Sequence, residues 1–103
     1  MKILVTCDHG NNRSVHFAHL LKYWDNDVIP IGLEVTTKET LDMLFDWADI
    51  IVTTAKDQVI PKEYADKVEL LDVGADTYPR PFNPELHKKA KELIFANKNL
   101  LKG

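Results

Sequence analysis

The segment Cys7-Asp8-His9-Gly10-Asn11-Asn12-Arg13-Ser14 constrains this chain more than any other. It follows the apolar run Ile3-Leu4-Val5 and precedes a stretch with helical periodicity, so it reads as a strand-to-helix turn. The first N–H groups of a helix lack internal partners and carry partial positive charge, which makes such a turn a place to hold an anion. Gly10 permits a positive φ, so that consecutive backbone N–H groups can converge on one point. Arg13 adds a full charge and a planar fork of donors that matches two oxygens of a phosphate. In this arrangement the backbone of Asp8, His9, Gly10, Asn11 and Asn12 surrounds a phosphate, Cys7 lies beneath it and Arg13 clamps its side.

Cys7 is the chain's single cysteine. A thiolate that attacks phosphorus must form near neutral pH, although a free cysteine titrates at about 8.5. The helix start and Arg13 both favour the anion. Ser14 can donate its hydroxyl to the thiolate and help it leave in a second step. The plainer reading makes Cys7 a small buried hydrophobe and Arg13 a surface charge. A cation in the first turn of a helix is unfavourable unless an anion sits there, and this argues for the phosphate site. Asp8 conflicts with it unless its carboxylate faces solvent, because an inward one would repel phosphate.

The rest of the chain alternates strand and helix. Residues 2–6 read as a buried strand, and residues 14–24 as a helix with Phe17, Leu20, Leu21 and Trp24 on one stripe, its start capped by Asn12 or Ser14. Residues 28–35 read as a strand, at a sheet edge because of Pro30. Thr37 and Thr40 offer an imperfect capping box for a helix carrying Leu41, Leu44, Phe45 and Ala48. Strands follow at 49–53 and 68–73, separated by an irregular or helical connection at 58–65. Residues 74–84 form a proline-rich loop, after which Asn83 caps a last helix with Pro84 at its first position and Leu86, Ala90, Leu93 and Ile94 on its apolar face. This order predicts an α/β fold: a four-stranded parallel sheet with helices on both faces, flavodoxin-like, in a single domain spanning 1–103. Ligands of such sheets bind beyond the carboxyl ends of the strands. Cys7 and the 74–84 loop both lie at such ends and can face one site.

Composition narrows the setting. A net charge of −3 supplies no overall field that would draw the chain to nucleic acid or an anionic membrane. One cysteine makes no internal disulfide, and the apolar run at residues 3–5 is too short for a signal peptide, so a reducing, cytoplasmic location is expected.

Cys7-x5-Arg13-Ser14 between a strand and a helix resembles the low-molecular-weight protein tyrosine phosphatases, and more closely their short microbial and phage relatives. Trp47-Ala48-Asp49-Ile50-Ile51-Val52 is similar to the family's approach to its third strand. Leu71-Asp72-Val73-Gly74-Ala75-Asp76-Thr77-Tyr78 is similar to the late segment that carries the general acid, and Asn83-Pro84-Glu85-Leu86 to the start of the final helix. The resemblance implies a phosphomonoester hydrolase acting on a phosphorylated protein or small phosphomonoester, without metal or cofactor. Cys7 is the implied nucleophile, Arg13 the clamp, Ser14 the thiolate's partner, Asp76 the general acid and Tyr78 a wall for an aromatic leaving group. Two departures stand out: Gly10 occupies the place where the family usually has asparagine, and Val15 that of a proline.

Asp72 competes with Asp76 as the acid, and Asp76 is favoured because it lies in the proline-rich loop with an aromatic residue two positions on. Tyr78 and Phe82 could pack an aromatic phosphoester or form a small core of that loop. Arg80 could meet an anionic group or remain solvated. His9, His16 and His19 suggest metal ligation at first, but without a second cysteine they read as solvated or cleft-rim histidines. The run from His87 to Lys91 reads as a solvated face. Two alternatives to hydrolysis stay open: a non-catalytic phosphate-binding or phosphoprotein-binding module, and a cysteine phosphocarrier.

Overall fold

The first three strands of the computed structural model alternate their apolar residues between two faces, and each face is covered by helix. The structure describes residues 1–8, 13–22, 26–74 and 83–97. Elements run β1 (Lys2–Cys7), α1 (Arg13–Leu21), β2 (Asp27–Gly32), α2 (Lys38–Trp47), β3 (Ile50–Thr53), a 3-10 helix (Lys62–Lys67), β4 (Val68–Leu70) and α3 (Pro84–Ala96). The strands form one parallel sheet in the order β2-β1-β3-β4. Ile3, Val5 and Val52 face α1 and α3, where they pack with Phe17, Leu21, Leu86, Ala90 and Ile94. Leu4 and Ile51 point the other way, into a cluster with Phe45, Ala48 and Tyr64. The expected architecture is therefore observed, including Pro30 on an edge strand.

Several boundaries moved for physical reasons. β1 continues through Cys7, so the thiol ends the strand rather than starting the loop. β2 stops at Gly32, and residues 33–35 turn away, leaving Val35 66% exposed. The fourth strand is cut to three residues, although Leu71 N–H still donates to Thr53 O and Val73 N–H to Thr54 O, each within 2.9 Å. Ser14 is not a cap, since α1 already includes Arg13 and Ser14 faces inward; Asn12 and Trp24 lie outside the described residues. Thr37 does cap α2, accepting from Thr40 N–H, and Asn83 caps α3 by accepting from Glu85 N–H at 2.9 Å.

This order places a topological switch point between β1 and β3, where the crossovers leave in opposite directions. Phe17 and Leu21 are wholly buried, each stabilising the fold by about 1.5–3 kcal/mol. They clamp α1 to the sheet and so fix its first turn above the carboxyl end of β1.

Candidate active site

Cys7, the last residue of β1, is fully buried, and its Sγ lies 3.0 Å from Ser14 Oγ in the first turn of α1. The pairing places a hydroxyl where it can donate to a thiolate. Arg13 is only 1% exposed, which excludes the reading of it as a surface charge. Its Nη1 donates to Gly74 O at 2.7 Å, and its Nη2 lies 3.1 Å from Asp8 Oδ2. Its Nε, also buried, meets no hydrogen-bond acceptor among the described residues. An unpaired buried donor costs about 1–3 kcal/mol, more when it belongs to a charged group.

The contact with Gly74 brings the Cys7 turn and the segment after β4 together, as expected from the strand ends alone. Gly74 has φ 81, a conformation that favours glycine, and its N–H donates to Asp72 Oδ1 at 2.8 Å. Asp72 thus takes the turn-forming part open to any loop aspartate. Asp76, Tyr78, Arg80 and Phe82 lie outside the described residues, as do His9, Gly10, Asn11 and Asn12 of the cradle.

Two expectations need correction. Asp8 does not simply face solvent: it forms an ion pair with Arg13 while 31% of its side chain stays exposed. A buried guanidinium requires a counter-charge, and the nearby carboxylate supplies one. His16 is neither solvated nor at a cleft rim. It is 1% exposed, and its Nε2 sits 2.9 Å from Nδ1 of His87 on α3, the rings meeting edge to face at 71°. Burial, reinforced by the charges of His87 and then His19, lowers its pKa from 6.5 to about 4. His87 accordingly does more than populate a solvated face. Among the described residues, no group of three or more His, Cys, Asp or Glu side chains is assembled to hold a metal.

Sequence reasoning missed a buried polar cluster at the strand ends next to Cys7. Gln58 Oε1 accepts from Thr6 Oγ1 at 3.0 Å and from Thr54 N–H at 2.8 Å, and Gln58 Nε2 donates to Thr54 Oγ1 at 2.8 Å. Thr54 Oγ1 in turn donates to Thr6 O at 2.9 Å. These bonds tie the residue before Cys7 to the turn after β3 and hold the strand end that carries the thiol. The available signal was polar Thr6, Thr53 and Thr54 at the ends of otherwise apolar strands.

The fold is similar to that of a solved structure, YwlE arginine phosphatase from Geobacillus stearothermophilus, with a TM-score of 0.64 and 21% identity over 97% of this chain and 87% of that one. At this identity the likeness is one of fold. The sequence matches no protein-family model and no curated protein.

Proposed function

We propose that the chain is a metal-independent, cysteine-dependent phosphomonoester hydrolase, a protein tyrosine phosphatase acting as a single domain in a reducing cytoplasm. The observation that carries this reading is the Arg13 guanidinium: buried in the turn that follows Cys7, anchored by Gly74 O, and with an Nε that meets no acceptor among the described residues. A phosphoryl oxygen is the acceptor that position lacks.

The Cys7 thiolate attacks phosphorus, forming the P–S bond as the ester P–O bond breaks. Asp76 gives its proton to the departing oxygen, and Arg13 and the 8–12 backbone hold the equatorial oxygens. Water then attacks the cysteinyl-phosphate and delivers a proton to Asp76. The P–S bond breaks, and the returning thiolate accepts a hydrogen bond from Ser14. Tyr78 lines the leaving group.

The assay is hydrolysis of p-nitrophenyl phosphate in EDTA. Turnover that persists undiminished in Cys7→Ser sinks the proposal. Phosphate binding that requires Arg13, without turnover above the Cys7→Ser background, makes the chain a binding module. Transfer from a donor protein to Cys7 without net hydrolysis makes it a carrier.

A second substrate reading is phosphoarginine. It is favoured by the Asp8 carboxylate at the clamp, which can pair with a cationic leaving group, and by the activity in the name of the structural neighbour. The ratio of kcat/KM on phosphoarginine and phosphotyrosine peptides decides between them. A tenfold or greater preference for phosphotyrosine in wild type excludes the second reading.

A further inference from the structure

We propose that Asp8 is a positioning residue that competes with the phosphoryl group for the Arg13 guanidinium. Its carboxylate holds the Arg13 guanidinium between turnovers and leaves Nη2 when an oxyanion docks. The proposal rests on the phosphate-site reading and adds to it the element that sets affinity.

A guanidinium presents Nε–H and one Nη2–H as a parallel pair, the fork that takes two oxygens of one phosphoryl group. Nη1 is committed elsewhere, at 2.7 Å from Gly74 O. On the fork edge, Nη2 meets Asp8 Oδ2 at 3.1 Å, and Nε has no acceptor among the described residues. This is half of a bidentate interaction, and its distance exceeds the 2.7–2.9 Å or so of a strong charge-assisted bond. An oxyanion that satisfies both prongs must take Nη2 from the carboxylate.

Asp8 is built to give it up. Its side chain is 31% exposed, so water can solvate the released carboxylate. Its backbone stays in place: Glu34 N–H donates to Asp8 O at 2.9 Å, and Leu33 N–H to Cys7 O at 2.8 Å. The side chain can therefore swing while the start of the cradle holds still. While it remains, Asp8 offsets the positive charge that Arg13 offers to the ligand. Phosphate binds more weakly as a result, and product release is eased.

The sign of one measurement separates this from a bracing role. If Asp8 only braced Arg13, its removal would loosen the guanidinium and weaken phosphate binding. As a competitor, its removal strengthens binding. Isothermal titration with inorganic phosphate at neutral pH and low salt should find Asp8→Asn and Asp8→Ala about tenfold tighter than wild type. The gap should narrow as salt rises. KM for p-nitrophenyl phosphate should fall along with the phosphate inhibition constant.

Affinity equal to or weaker than wild type in a folded variant overturns the proposal and leaves the phosphate site intact. Thermal melts show which variants fold, and if neither does, Asp8 is structural and the proposal is likewise overturned. Absence of phosphate binding in every protein, or undiminished binding in Arg13→Ala, overturns the phosphate-site reading instead.

Discussion

Replacing His16 with glutamine should remove a specific part of this protein's acid sensitivity. His16 is buried against α3 with its pKa lowered to about 4, first by desolvation and then by the charges of His87 and His19. In the unfolded chain it titrates near 6.5. Between these values the unfolded state binds the extra proton and the native state does not, so stability rises with pH across that window. The native state is therefore free of this penalty above pH 6.5 and loses stability progressively as pH falls toward 4. Integrating the linkage relation over that shift, His16 alone accounts for about 2 kcal/mol lost between pH 7.5 and pH 5.

Urea unfolding of wild type and His16→Gln at both pH values isolates this part, because every carboxylate they share cancels in the difference. Wild type should lose about 2 kcal/mol more than the variant. Its imidazole resonance, followed by NMR, should titrate near 4. Since burial is the largest cause and His87 the second, His87→Gln should recover only the smaller part of the shift. Stability curves that run parallel from pH 7.5 to pH 5, or a midpoint near 6.5, refute the reasoning. The effect reaches the candidate site because His16 lies on the same helix as Arg13 and Ser14. Protonating His16 strains the α1–α3 contact that holds that helix start.

Two further perturbations test the geometry directly. Arg13→Lys keeps the charge but cannot reach Gly74 O and a bidentate anion together, so phosphate affinity should fall about 10- to 100-fold; titration showing unchanged affinity would contradict the fork argument. Gln58→Leu removes the acceptor of the buried Thr54 N–H and the nearer of the two acceptors of Thr6 Oγ1, which keeps Val52 O at 3.3 Å, and should destabilise the fold by about 1–3 kcal/mol in urea unfolding, whereas a loss below about 0.5 kcal/mol would mean the cluster is not needed to hold the strand ends.

What could be read from the sequence depended on how far each determinant reached along the chain. The apolar stripe of Phe17, Leu20 and Leu21 and the caps at Thr37 and Asn83 act within a few residues, and all are observed. Strand ends were harder. Val35 has strand propensity but stands in a turn after Gly32, where pairing with β1 has ended. Leu71 and Val73 are buried on an alternating pattern, yet they hang from β3 by separate bonds rather than as a continuous strand. In both cases the partner strand, not local propensity, sets the boundary.

The candidate site divides along the same line. Cys7, Arg13 and Ser14 were legible because one strand-to-helix turn places all three, and the spacing forces the hydroxyl and the thiol into contact. The meeting of His16 with His87 spans 71 positions and leaves no local trace. Asp8 is instructive because it was close in sequence and still misjudged. A carboxylate beside a nucleophile looks harmful when only the nucleophile and the anion are considered. Once Arg13 is known to be buried, a counter-ion becomes necessary, and the Asp8 carboxylate at 3.1 Å supplies it. The residue that looked like a defect of the loop is the counter-charge of the buried clamp. An oxyanion at this site must therefore bind better than a carboxylate the chain already carries.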